Sequence, residues 1–451
     1  MLSSLSGSGR ATLISAGRTD FFISAFAMML MFPLLAAAQN TLSLTEAQRL
    51  AIDRSRQLAG QDAAVAADRD MAVSAAQNPD PVLSAGIDNL PVEGADRYSI
   101  GRDFMTQRRI GVAQEFTRED KRRLRGERYE READKIVIEK AATSLIIKRD
   151  TALAWLDRYY AEASVVLIDE QIRQAQGEIE AAQTAYRAGR GSQGDLLSAR
   201  AALVELQDRA SEIARKARIA KIALVREIGE PGELPLAQSP LIDHIPIDLG
   251  KLDEHVAMHP AVVALARQED LAETEARLAQ ADKQSDWSIA LSYAERGAPY
   301  SNMVSIGFSV PLQWDQTSRQ DREVAAKLAL ADQIRAQREE AVRSESAEVR
   351  SMIAEWESAK ERQSRLEREL VPLATERTQA ELSAYRSGKS SLSNLLAARR
   401  NEVDARLQAL QMQAEAARFW AQLNFHFLHD DAIVATSLQD AERTAPEKDA
   451  Q

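Results

Sequence analysis

The residues best equipped for chemistry in this 451-residue chain are its five histidines, His244, His255, His259, His426 and His429. The pairs His255/His259 and His426/His429 have i,i+4 and i,i+3 spacing, which on a helix sets two imidazoles on one face, as zinc ligation requires. Neither pair carries a third ligand beside it or an H-E-x-x-H arrangement, and His259 precedes Pro260. No metal site is assigned on this basis, and no cofactor. Nucleophilic chemistry finds no support either. The absence of cysteine excludes disulfides, thiolate metal sites and a cysteine nucleophile. No nucleophile elbow, P-loop or G-x-G-x-x-G stands in a strand-to-helix context. A net charge of -11 opposes a duplex nucleic-acid binder, which needs a basic face to release counterions. The chain reads as a non-enzyme.

One constellation occurs twice. Tyr186, Arg187, Gly189, Ser192 and Asp195 recur as Tyr385, Arg386, Gly388, Ser391 and Asn394, within the shared pattern A-Y-R-x-G-[RK]-x-S-x-x-[DN]-L-L-x-A-R. Ile110-Gly111-Val112 likewise recurs as Ile306-Gly307-Phe308. The chain is therefore a tandem duplication. Backbone chemistry explains part of the constellation. Each glycine suits a left-handed helix C-cap, and Ser192 with Asp195 is a capping box whose weaker copy is Ser391 with Asn394. Capping does not account for Tyr and Arg at matched positions.

The elements that carry these residues are long helices. Aromatics make up only 5%, with sparse Gly and Pro, a composition of coiled coils. Each half reads as helix, two strands, long helix, turn and returning helix. Ser43 with Glu46 opens a helix running toward Asn78, and Thr117 with Asp120, matched by Ser318 with Asp321, opens the second helix of each half. Residues 119–188 contain no proline and would span ~105 Å as helix. Val165, Ile168, Ile172, Ala175, Ile179, Ala182 and Tyr186 keep a 3.5-residue repeat. So do Leu196, Ala199, Leu203, Leu206, Ala210, Ile213, Ala217, Ala220 and Leu224, which predicts an antiparallel coiled-coil hairpin.

The strands show a period of two. Trp287, Ile289, Leu291 and Tyr293 alternate with small residues, as do Val304, Ile306, Phe308 and Val310. Leu83, Ala85 and Ile87, then Ile110 and Val112, repeat the pattern more weakly. One apolar and one small or polar face suits a membrane barrel with a wet lumen, and equally a small soluble β-domain with one buried face. Trp287, Tyr293 and Trp314 lie near strand ends, where interfacial belts form. At the N-terminus, Arg10 and Arg18 precede an apolar run from Phe21 to Leu35 and then Ala36-Ala37-Ala38, the signature of a secretory signal peptide. Four strands cannot close a barrel and an open edge is forbidden in a bilayer, so membrane strands would demand several protomers.

This tandem plan resembles TolC-family outer-membrane efflux proteins over essentially the whole mature chain. Asp88-Asn89-Leu90-Pro91, Gly111-Val112-Ala113-Gln114-Glu115-Phe116, Lys121-Arg122-Arg123-Leu124-Arg125 and Trp420-Ala421-Gln422-Leu423-Asn424-Phe425 look like its heavy-metal-cation (CzcC-like) branch. The resemblance implies a mainly α fold with a small β part, in which long antiparallel coiled-coil hairpins and four transmembrane strands per protomer build a trimeric α/β barrel. It implies a passive conduit in the outer membrane of a Gram-negative cell, docked to a periplasmic adaptor and an inner-membrane RND-type pump and contacting outer-membrane lipid. The turns of the two hairpins would then form the periplasmic tip, with Tyr186, Arg187, Tyr385 and Arg386 as docking or gating contacts. Some members narrow the tunnel with acidic residues after the second tip. Asn394 and Ala397 stand there instead, so only Asp195 could supply a carboxylate ring.

The expected organisation is a signal peptide at 1–38, a first repeat at 39–229, a linker at 230–251, a second repeat at 252–430 and a polar tail at 431–451. The basic stretch from Arg118 to Arg131 reads as a helix face meeting anionic headgroups. The rival readings are a periplasmic adaptor, which should carry one hairpin and compact β-domains, and a purely structural periplasmic coiled coil.

Overall fold

The computed structural model describes residues 41–428 apart from positions 190 and 241. The expected signal peptide, the polar tail and His429 lie outside the described residues. Ser43 caps the first helix, α1 (Leu44–Arg54), its hydroxyl accepting from the Glu46 N–H. The Glu46 carboxylate turns to Arg49 at 2.6 Å instead of closing the box. The helix expected to run on toward Asn78 is interrupted. Ser55 leaves the helix and its side chain accepts from Leu58 N–H, starting α2 (Arg56–Ala75).

The first hairpin is α3 (Glu119–Arg187) with α4 (Gln193–Ile228). Its 69 helical residues make α3 ~104 Å long. The two 3.5-residue seams face each other as expected. Every seam position on both helices is buried or half-buried except Tyr186 at the tip.

The second repeat runs through α5 (Leu252–Ala257), α6 (Pro260–Ala281), α7 (Gln320–Arg365), α8 (Val371–Arg386) and α9 (Leu392–Asn424). Unlike α3, its long arm is broken by a π-turn at Leu366–Leu370. Pro372 is the cause: it has no N–H to donate and its ring crowds the carbonyl four residues back, which a widened turn relieves.

The main core lies mid-length, where Trp155, Leu156, Leu224, Val349, Trp420 and Leu423 pack together. The inter-repeat segment is drawn onto it. Leu42 and Leu236 form a parallel bridge, the Trp155 indole donates to the Leu42 carbonyl at 3.1 Å, and the Trp420 indole donates to the His244 carbonyl at 2.9 Å.

Four strands, β1 (Val82–Asp88), β2 (Gln107–Phe116), β3 (Trp287–Arg296) and β4 (Met303–Ser309), form one antiparallel sheet in chain order. The two halves therefore meet at β2–β3, where Ile110 pairs with Tyr293 and Val112 with Leu291. β4 ends at Ser309, so Val310 falls outside the strand to which its alternation assigned it. Pro311 follows it and cannot donate to the ladder.

Two expected helix starts are corrected. The N-caps are Arg118 and Arg319, neither with a side-chain cap, rather than Thr117 and Ser318. Asp286, across the repeat junction, accepts the Arg118 N–H at 3.0 Å and does the capping work in trans. Ser318 N–H donates to Asp315 in a turn before the helix.

Part of the basic stretch is turned inward. The Lys121 side chain is only 4% exposed, with its ammonium 3.0 Å from Asp286 and 3.6 Å from Asp282. Arg128 pairs with Glu275 on α6 at 3.1 Å. These two cations tie the repeats together, while Arg118 and Arg123 of the same run stay exposed. No helix among the described residues is long and apolar enough to cross a membrane.

Candidate functional site: the uncovered sheet and the paired tips

Register fixes the two faces of the sheet. Leu83, Ala85 and Ile87 on β1, Ile110 and Val112 on β2, Ile289, Leu291 and Tyr293 on β3, and Val304, Ile306 and Phe308 on β4 all fall on one side. Among the described residues nothing covers them: Val304, Ile306 and Phe308 are 68%, 77% and 68% exposed. A small soluble β-domain would bury this face in its own core, which the described residues do not do. The face has borders. At one end Arg108 pairs with Glu295 at 2.9 Å, and at the helix end Phe116 stacks on Trp287 with centroids 4.4 Å apart.

The opposite face carries small residues. Ser288 and Ser309 hydroxyls meet at 2.8 Å, and a Cβ on Gly111 would come within 2.9 Å of Ser292 Cβ. β1 and β4 are terminal strands with one unpaired edge each.

The predicted tip residues lie at the far ends of the hairpins. Gly189 and Gly388 take φ of +71° and +73°, the left-handed conformation that a side chain resists. Ser192 and Asp195 form the complete capping box: the Ser192 hydroxyl accepts from Asp195 N–H at 3.0 Å, and the carboxylate accepts from Ser192 N–H at 3.1 Å. In the second tip Ser391 accepts from Asn394 N–H at 3.3 Å, but the Asn394 amide donates to Ser390. The copy is half a box, because the Asn394 side chain turns its amide to Ser390 and does not accept from Ser391 N–H.

The two tips touch. Ala182, Ala199, Leu392 and Leu395 are buried in a small shared core against which Ile179, Leu382 and Tyr385 pack. The repeated tyrosines thus differ. Tyr186 is exposed, whereas Tyr385 lies half-buried near Asp195, and burial followed by that carboxylate's charge raises its phenol above the ordinary range. Arg187 and Arg386 are exposed and form no ion pair among the described residues.

Behind the tips sits a network that motif reading passed over. Arg399, the last residue of the repeated pattern, pairs with Glu178 at 3.0 Å and with Glu402 at 3.1 Å, and Arg406 reaches Glu402 at 2.7 Å. Glu402 is the most buried of these. The equivalent Arg200 is exposed. The remaining candidates are the histidines, of which His429 lies outside the described residues. One member of each sequence pair, His259 and His426, face each other with ring centroids 4.6 Å apart, beside Glu345.

No protein-family model matches the sequence, and no curated protein matches it significantly. Solved structures do. CusC, whose crystal structures describe folding and transmembrane channel formation, matches at a TM-score of 0.72 and 15% identity over 85% of this chain and 92% of that one. The Campylobacter jejuni outer membrane channel CmeC matches at 0.71 and 13%, over 88% of each chain. The open state of the Neisseria gonorrhoeae outer membrane channel MtrE matches at 0.69 and 19%, over 85% of this chain and 88% of that one. At these identities the likeness carries the architecture, and it is the architecture that the TolC-family resemblance led us to expect: this chain has the fold of the outer-membrane channels.

Proposed function

We propose that the chain is the outer-membrane channel of a tripartite efflux system, working as a homotrimer and exporting heavy-metal cations. The observation that carries this reading is the four-stranded sheet, with an uncovered apolar face and two open edges. In water such a face is an aggregation liability, and in a bilayer such edges cost several kcal/mol per unpaired group. Both problems vanish together if three copies pair edge to edge into a barrel of about twelve strands, within the range of membrane barrels. The hairpins then hang below as a helical tunnel reaching ~100 Å into the periplasm. Their tips, with Tyr186, Arg187 and Arg386 exposed, are the surface offered to a periplasmic adaptor and, through it, to an RND-type pump. The cargo class rests on the local resemblance of 88–91, 111–116, 121–125 and 420–425 to the heavy-metal branch.

Two measurements test the reading at its two levels. Detergent extracts of outer membranes should contain a heat-modifiable trimer, and release of the protein by osmotic shock would overturn the channel in favour of an adaptor or structural coiled coil. A deletion strain should lose resistance to divalent metal salts and regain it on complementation. Loss of resistance confined to organic compounds would overturn the cargo while leaving the channel.

A further inference from the structure

Three residues far apart in sequence converge just outside the main core. His259 precedes α6 without using its side chain as a cap, Glu345 lies within α7, and His426 follows the end of α9. Nε2 of His259 and Nε2 of His426 each lie 3.4 Å from the same Glu345 oxygen, Oε2. The side chains are 13%, 12% and 16% exposed for His259, His426 and Glu345. Phe427 walls the group, its ring meeting His426 edge-on at 4.9 Å. Within this pocket Glu345 Oε2, His426 Nε2 and His259 Nδ1 are buried and have no hydrogen-bond partner.

Leaving buried polar atoms unpaired is costly. The separations indicate what would satisfy two of them, Glu345 Oε2 and His426 Nε2. A zinc ion bound at about 2.1 Å to tetrahedral nitrogen and oxygen ligands holds those ligands roughly 3.4 Å apart. Both histidine-to-carboxylate separations have that value. The three ligand atoms all lie within 4.8 Å of one another.

We propose that His259, Glu345 and His426 bind a divalent cation of the zinc class, with a fourth position left for water. The protonation states suit it. Burial, and then the neighbouring His426, pull the His259 imidazole down to about 4, and burial lowers His426 also, so both are neutral at pH 7, the form that ligates. Burial and then the charge of Glu348 raise Glu345, a penalty that a cation removes. Glu348 adds negative charge near the site and Arg149 opposes it. The ion joins the start of α6, the middle of α7 and the segment after α9, so it clamps three parts of the second repeat. This role is independent of what the channel exports.

The test uses full-length protein in detergent, stripped with EDTA and dialysed against buffered zinc. Wild type should retain one zinc per protomer and unfold at a higher temperature than the stripped form. Cobalt in place of zinc should give the intense visible bands of four-coordinate Co²⁺. Glu345→Gln and His426→Ala should each weaken zinc affinity at least a hundredfold, while His244→Ala, altering an exposed histidine, should not. Wild type retaining no more zinc than a His259→Ala/His426→Ala double variant would overturn the proposal, as would six-coordinate cobalt spectra. The cobalt spectrum is read on wild type, so it decides for or against the site even if a variant fails to fold.

Discussion

Arg399 and Arg386 stand 13 residues apart on opposite arms of the second hairpin, yet their surroundings assign them different work. Arg399 is buried between Glu178 and Glu402, and it is the only cation on Glu178 among the described ion pairs. Removing one member of a buried pair strands the other, at about 3 kcal/mol or more. Arg399→Ala should therefore loosen the tips, raising amide exchange in 376–402 by roughly a hundredfold. Arg399→Met with Glu178→Met should recover most of the protection, because apolar replacement of both partners removes the stranded charge. Arg187→Glu with Arg386→Glu should do the reverse: exchange and trimer content unchanged, adaptor-dependent resistance abolished. Unaltered resistance in that double variant would remove the tips as a docking surface. The A-Y-R pattern made both arginines visible in the sequence. It could not separate them, since a repeated residue acquires different neighbours once two copies pack against each other. Glu345 was less visible still, because a ligand 86 residues from His259 leaves no local spacing to read.

Among the elements, α3 was legible almost to the residue, because a 3.5-residue seam sustained over many turns admits one structure. The interruptions were not. The breaks at Ser55 and Pro372 have local causes that a heptad seam does not register, whereas the N-cap at Arg118 depends on what the backbone meets in three dimensions. At the Arg118 cap that partner is Asp286 from the other repeat. The same junction shows how the halves are fastened. Glu275 on α6 accepts from Arg128 on α3 at 3.1 Å and from Lys327 on α7 at 2.7 Å. Burial alone would raise its carboxyl, but the hydrogen bonds and charges of Lys327 and Arg128 outweigh it and hold the group below its usual 4.5. Glu127 is held down in the same sense, its burial being outweighed by Arg277 and the charges of Arg131 and Arg123. A carboxylate with a lowered folded-state pKa adds stability that is complete above the unfolded value and lost as pH falls through the folded one. The melting temperature of solubilised protein should thus fall as pH drops below about 4.5. Glu275→Gln should be less stable than wild type at pH 7 and converge on it in acid. Parallel curves would show that this three-helix contact contributes nothing through its charge.

For the whole molecule the decisive feature is that one sheet has two faces of opposite character and, among the described residues, no roof. Neighbouring residues of β4 sample both. Ile306 lies on the uncovered apolar face, and Ser305 on the small face with Ser292 as its cross-strand partner. On the trimer proposed above, Ile306 meets lipid and Ser305 the lumen. Arginine at the lipid face near the bilayer midplane costs about 2–4 kcal/mol per strand, and a homotrimer incurs it three times. Ile306→Arg should therefore deplete the heat-modifiable trimer from outer membranes. Ser305→Arg should leave the trimer intact and alter single-channel conductance and ion selectivity, because three cations then line the opening. A soluble assembly that hid the apolar face in a protein interface would also reject Ile306→Arg, but it would have no conductance for Ser305→Arg to change. Trimer loss from Ser305→Arg with tolerance of Ile306→Arg would invert the faces, and with them the assignment of lumen and lipid.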